Sequence, residues 1–562
     1  MPRSTAKERI RALRERRWQR LFGPRLEGPP KPKGFVVLQI DALAGWVLEE
    51  AMRRRRARFL RSLQRHGGAR LSRFRVGLPC TTPSFQAGFL YGTRGEIPGF
   101  RWYERRTGET VWFAYPWDCA RIEHEFRDRE GLLAGGGSSY FNIFTGGADN
   151  HPFDSAALTF ERGRRRRLFA NFFRFLFYLT MAGTRVFIRT VFEIARETFD
   201  VLAGLVRRRR GRRWGQFLLR ALSNAFLNEL TVVGIREEVR RGTRYLYANF
   251  LGYDKAAHAR GPTHPYALWS VREVDRDLRR IFRAVRRIHR RYDYDFYVLS
   301  DHGIVGTIPI EDEEGQDFES ALLRAREASA SGTAGDHVET AAELTRSLDL
   351  LQEGTALFPP FARRLITPFR RRVAKRLRRP EGVPPAGTIP RVVLRPTGNL
   401  AHVYLVGSRE PIGYEDLETR AAGLLDYLDR SPYVRVFAAR GAAGEIVLGG
   451  RGKRARASEG ACPTFDLGAW EVEEISRLVR MERSGDLVLF AARVGNEVYN
   501  FQRELASHGG FEPEEQDGFV LAPAGVDIPA SALTPEGLHA FFRERYRAPA
   551  RERAPEPQAV AG

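Results

Sequence analysis

Several stretches of the chain are apolar at nearly every position, without the alternation of a half-buried strand or the stripe of a surface helix. They are Phe35-Val36-Val37-Leu38-Gln39-Ile40, Tyr245-Leu246-Tyr247-Ala248-Asn249-Phe250-Leu251 and Phe296-Tyr297-Val298-Leu299. Short continuous runs of this kind predict strands buried on both faces, as in the middle of a parallel sheet covered by helices. Each run stops abruptly at chemistry: the first at Asp41, the second at Gly252-Tyr253-Asp254, the third at Ser300-Asp301-His302-Gly303. In an open parallel sheet the carboxyl ends of the strands are the edge where ligands bind.

Between these runs the pattern changes period. Glu49 to His66 reads as a helix, Phe74 to Leu78 as a short strand, and Thr82-Pro83 as a helix start with Thr82 as N-cap and Pro83 in the first helical position. The glycine-rich stretch from Gly135 to Gly147 reads as a flexible lid or a tight turn near the site. Beyond Arg391 come a strand (Arg391 to Leu394), a strand around His402, a helix-strand-turn-strand unit over 414–450, strands at Asp486–Phe490 and Phe519–Pro523, and a helix from Pro535 to Tyr546. The expected fold is therefore α/β: a mostly parallel central sheet with helices on both faces, plus basic helical insertions. A basic arm and linker would occupy 1–33, a single catalytic domain 34–530 with insertions at roughly 160–232 and 306–390, and a C-terminal helix with a disordered Pro/Ala/Glu tail 531–562.

Charge adds a second theme. The chain of 562 residues carries 92 Lys+Arg against 68 Asp+Glu, a formal +24, so its surface attracts phosphorylated substrates, anionic headgroups or nucleic acid. The arginines cluster: Arg164 to Arg167 and Arg207 to Arg213 bracket an aromatic run containing Phe172, Phe173, Phe175, Phe177 and Tyr178. Between Phe358 and Arg379, Phe361, Leu365, Phe369, Val373 and Leu377 recur every fourth residue. Segments of this composition either lie in an anionic membrane interface or cap the sheet with their arginines solvated. An anionic membrane surface is thus a candidate partner, with nucleic acid disfavoured because it would leave the phenylalanines without a role. Three cysteines without a Cys-x-x-Cys pair imply no disulfide framework, and the first thirty residues contain no apolar signal segment. The expected location is cytoplasmic, peripheral on the inner face of the membrane.

The polar groups at the strand ends share one chemistry. Asp254 and His258 are four residues apart and stack on one face of a helical turn, and carboxylates mixed with imidazoles suit zinc, or manganese where imidazoles are fewer. Ser507-His508-Gly509-Gly510 supplies a further imidazole where glycines let the backbone approach an ion. A hydroxyl at a helix N-terminus beside these groups, that of Thr82, is placed as a nucleophile. Thr81 offers a competing register, and His402, flanked by Ala401 and Val403 within a strand, is a rival for the last imidazole; His337 is a weaker one.

The ordered set of strand-Asp (Asp41), Thr at a helix start (Thr82), Asp-x-x-x-His (Asp254, His258), Asp-His-Gly (Asp301, His302) and late His-Gly (His508) resembles the alkaline phosphatase superfamily, and within it the type I phosphodiesterase and nucleotide pyrophosphatase branch. The resemblance covers roughly residues 34–310 and 390–525. It implies two divalent metal ions, one held by Asp41, Asp301, His302 and Thr82 and the other by Asp254, His258 and His508. It also implies a hydrolase in which Thr82 attacks the phosphorus of a phosphate ester, a nucleotide or a lipid headgroup, most readily a phosphodiester or pyrophosphate. Monoester hydrolysis or headgroup transfer on the same scaffold is the alternative within the enzyme class. Outside that class, the alternative is a non-catalytic basic protein on membrane or nucleic acid. Sulfatases share the scaffold, but their Ser/Cys-x-Pro-Ser-Arg motif is only partly matched by Thr81-Thr82-Pro83-Ser84-Phe85.

Overall fold

The computed structural model describes residues 31–158, 217–288, 292–328, 392–457 and 459–547. The N-terminal arm, both arginine-bracketed aromatic segments, His337 and the C-terminal tail lie outside the described residues.

The three apolar runs form the centre of one sheet. Its strands are β1 (Lys31–Ile40), β2 (Arg70–Arg75), β3 (Gly137–Tyr140), β4 (Tyr245–Phe250), β5 (Tyr292–Ser300) and β6 (Asp517–Ala522), in the order β2-β6-β5-β1-β4-β3. β1 pairs in parallel with β4 and β5, and β3 in parallel with β4; β6 alone runs against its neighbours β2 and β5. Doubly buried is the right description of β1: Phe35 and Val37 enter one core with Tyr247, Tyr297 and Leu299, while Val36, Leu38 and Ile40 enter the other with Ala248, Phe250 and Val298. Those five β1 side chains other than Gln39 have no solvent exposure, which is why no alternation was written into the run.

Helices cover both faces. On one side lie α1 (Thr82–Tyr91) and, packed against it and β1, α5 (Pro535–Arg547), which puts Leu538, Phe542 and Tyr546 into the first core. The C-terminal helix is thus part of the catalytic body. On the other side lie α2 (Phe217–Arg241), α3 (Gly252–Arg260) and α4 (Pro265–Ile288). Val232, Ile235 and Val239 of α2 belong to the second core, so the insertion expected over 160–232 re-enters the body along this helix. A second, antiparallel sheet of six strands runs from Val392 to Ala491, and a small four-stranded sheet joins Val305–Pro309 to Ala506–Ser507. Among the described residues no helix is long and apolar enough to cross a membrane.

Two local readings are corrected. The glycine-rich segment expected as a lid or turn contains β3, a fully buried edge strand of the central sheet, because parallel pairing with β4 absorbs its backbone groups. The helix expected from Glu49 to His66 is two helices, Gly45–Arg53 and Arg58–His66. The chain turns at Arg55, whose φ is 57°, and the second helix is capped by a distant carboxylate: Asp275 of α4 accepts from Phe59 N and Leu60 N, each at 2.9 Å.

Candidate active site

Each doubly buried strand delivers its polar end group to the same edge. Asp41 follows β1, Asp301 and His302 follow β5, and Asp254 and His258 occupy the first and second turns of α3, directly after β4. His508 follows the two-residue strand Ala506–Ser507. Two clusters result, Asp41-Asp301-His302 and Asp254-His258-His508, and within each the ligand-type atoms lie within 4.8 Å of one another. The clusters adjoin, since the His302 and His508 rings lie 3.9 Å apart centroid to centroid.

Thr82 sits at the first cluster. Its Oγ1 is 3.2 Å from Asp41 Oδ1 and 3.1 Å from His302 Nε2. The Thr81 hydroxyl is buried without a partner. Thr81 rather than Thr82 is the N-cap of α1: its backbone is extended and its carbonyl accepts the first helical hydrogen bond, from Phe85 N at 3.0 Å. Thr82 is the first helical residue and Pro83 the second, which leaves the Thr82 hydroxyl turned to the cluster instead of to the helix.

The surrounding hydrogen bonds fix each imidazole with one nitrogen toward its cluster. His302 Nδ1 is 2.9 Å from the Gly303 carbonyl and His508 Nδ1 is 2.8 Å from the Cys80 carbonyl, so donation there leaves each Nε2 as a lone-pair donor. His258 lies between two acids, with Nε2 3.0 Å from Asp254 Oδ1 and Nδ1 2.9 Å from Glu504 Oε2. Asn249 Nδ2 donates to Asp41 Oδ2 at 2.8 Å, and Ala42 N to Asp301 Oδ1 at 3.1 Å. Glu504 and Asn249 were not singled out from sequence. Asn249 stands inside an apolar run, a signal that could have found it; Glu504 has no such mark.

Electrostatically the site is a crowd of carboxylates around two neutral imidazoles, His302 and His508, and one charged one, His258. Burial, with the charges of Asp301 and Asp254, pushes the Asp41 carboxyl well above its ordinary range, and burial takes Asp301 up to about 7. Burial lowers His302 to about 4, and burial with His302 and His258 nearby lowers His508 to about 3. Burial also opposes the charges of Asp254 and His258, but here the pair wins: His258, aided by Glu504, is held well above its usual value, and Asp254 below the carboxylate range. Asp301 Oδ2 is buried without a hydrogen-bond partner. Carboxylate oxygens gathered with imidazoles, among them an unpartnered Asp301 Oδ2, fit the donor set of a divalent transition metal, which would relieve the crowding of Asp41 and Asp301.

His402 lies elsewhere, buried in the second sheet. Its Nε2 is 2.8 Å from the Pro98 carbonyl and its Nδ1 accepts from Gly485 N at 3.1 Å, so it is satisfied within the core and joins neither cluster.

Residues 185–340 match the family model described as type I phosphodiesterase / nucleotide pyrophosphatase, which bears out the resemblance read from the motifs. The match takes in Asp254, His258, Asp301 and His302 and excludes Asp41, Thr82 and His508. No curated protein matches the chain. Solved structures that the chain resembles include phosphonoacetate hydrolase from Sinorhizobium meliloti 1021 in complex with phosphonoformate, 16% identical, covering 91% of this chain and 95% of that one at a TM-score of 0.42. Murine ectonucleotide pyrophosphatase / phosphodiesterase 5 is 10% identical, covering 92% and 95% at 0.45. Alkaline phosphatase PafA is 11% identical, covering 89% and 92% at 0.46.

Proposed function

We infer that this chain, an α/β protein matching the type I phosphodiesterase / nucleotide pyrophosphatase family, is a phosphoester hydrolase that uses Thr82 as nucleophile on a phosphodiester or pyrophosphate. The observation that carries the reading is the position of Thr82 Oγ1, in hydrogen-bond reach of Asp41 and His302 at the N-terminus of α1.

Asp41 and His302 aim the hydroxyl, and the positive end of the α1 dipole favours its alkoxide. The Thr82 oxygen forms a bond to phosphorus as its proton passes to Asp41 Oδ1, while the opposite ester oxygen departs with the bonding pair and is neutralised by a proton from solvent. Water then attacks the phosphothreonine, releasing the phosphoryl group and restoring the hydroxyl. Asp41, Asp301, His302 and Thr82 would hold one divalent cation and Asp254, His258 and His508 a second, zinc by donor type with manganese also suited. Such cations neutralise phosphoryl oxygens and lower the pKa of a coordinated hydroxyl.

The test is a comparison of chromogenic phosphate diesters and monoesters with added Zn²⁺ or Mn²⁺, on wild type and Thr82→Ala. Faster turnover of the diester, lost in Thr82→Ala, is expected. Equal or faster monoester turnover would overturn the diester assignment, and an active Thr82→Ala would overturn the nucleophile.

A further inference from the structure

One buried residue outside both clusters bonds three loops that carry site residues, two through their backbone and one through a cysteine side chain. Glu515 is fully buried, and its main-chain carbonyl accepts from Gly303 N at 2.7 Å, the residue after His302. The same carbonyl accepts from Cys80 Sγ at 3.0 Å, two residues before Thr82. Its carboxylate takes the third loop: Oε2 accepts from Gly510 N at 3.0 Å, two residues after His508, while Oε1 accepts from Asn399 Nδ2 at 2.8 Å and Glu512 N at 2.9 Å. Asn399 completes the clasp from the second sheet, its Oδ1 accepting from the same Gly510 N at 3.1 Å.

We propose that Glu515 is a positioning residue that holds the His508 loop in register with the nucleophile loop, and so sets the affinity of the Asp254-His258-His508 cluster for its cation. The inference rests on the metal-site reading above. Two links pass directly between these loops: Cys80 N donates to Gly509 O at 3.0 Å, and His508 Nδ1 bonds the Cys80 carbonyl. The imidazole therefore keeps its Nε2 free only while Gly509 and Gly510 stay where Glu515 and Asn399 hold them. Gly509 passes Thr397 at φ 141°, where an added Cβ would lie 2.2 Å from the Thr397 carbonyl oxygen, so no side chain fits at this point of the loop. The first cluster depends on Glu515 only through a main-chain carbonyl, which any substitution retains. Loss of the carboxylate should thus be felt at one cluster and not the other.

Glu515→Gln is the discriminating variant. It keeps shape and volume, but with N–H donors arriving at both carboxylate oxygens, either orientation of the amide sets a donor against a donor. The experiment is calorimetric titration of metal-free protein with Zn²⁺, with His508→Ala as the reference for loss of one site. Wild type should take up two ions. Glu515→Gln should keep one at wild-type affinity and bind the other about 10-fold to 100-fold more weakly, the range usual for partners behind a metal ligand. Should the metal-free variant fail to fold, Asn399→Ala, which removes the other acceptor of Gly510 N, is expected to give the same selective loss. Two unchanged affinities in the variant, or parallel weakening of both, would overturn the role of Glu515. A wild type that binds no ion would overturn the metal-site reading itself, and this inference with it.

Discussion

At the residue scale, the hydroxyls of Thr81 and Thr82 are neighbours in sequence with opposite surroundings, one buried and alone, the other against Asp41 and His302. Thr82→Ala should lower kcat on the order of 10³-fold or more while Thr81→Ala retains most of it, measured at saturating metal. The half-buried His508 and the buried His402 make a parallel contrast: His508→Ala should lose one bound ion, and His402→Ala should keep both but lower Tm, because it leaves Gly485 N unpaired in the core. A third expectation concerns Asp154, buried with Oδ1 accepting from Asn142 N at 3.0 Å and Oδ2 unpartnered. Burial raises this carboxyl to about 8 from an ordinary 3.8. The folded state holds its proton where the unfolded chain sheds it, so stability is fully present below the unfolded value and is lost as pH rises toward 8. Asp154→Asn should therefore stabilise the protein at pH 8 more than at pH 5, read as Tm against pH; an equal shift at both would refute the assignment.

At the scale of elements, the cap that Asp275 places on the Arg58–His66 helix is separable from the chemistry. Asp275→Ala should cost about 1 kcal/mol through loss of the bonds to Phe59 N and Leu60 N, measured by denaturant unfolding with metal content unchanged. That cap also shows where the sequence could be read and where it could not. Strands buried on both faces announce themselves as unbroken apolar runs, so β1, β4 and β5, and with them Asp41, Asp254, Asp301 and His302, were legible. The break at Arg55 was not, since four consecutive arginines contain no residue that stops a helix and the deciding carboxylate is on another element. β3 was hidden because its glycines and serines look like a loop until β4 supplies a partner. Glu504, Glu515 and Asn399 matter only through contacts made across the fold, and no local pattern marks them.

At the scale of the whole molecule, the formal +24 gives a salt-dependent attraction to anionic surfaces. Co-sedimentation with anionic but not neutral vesicles at low ionic strength is expected, falling away as salt is raised; binding to neither would leave soluble phosphate esters as the substrates to test. The placement of β6 carries a different consequence. This strand, from near the end of the chain, lies between β2 and β5, pairing Asp517 with Arg75 and Phe519 with Ser300. During synthesis β2 and β5 must wait, each with an open hydrogen-bonding edge, until Asp517–Ala522 has left the ribosome. The strand that closes the gap follows His508 by only a few residues, so the nascent chain acquires the last imidazole of the two clusters and its finished sheet together, and a chain that stops before β6 cannot bring all six cluster residues into place.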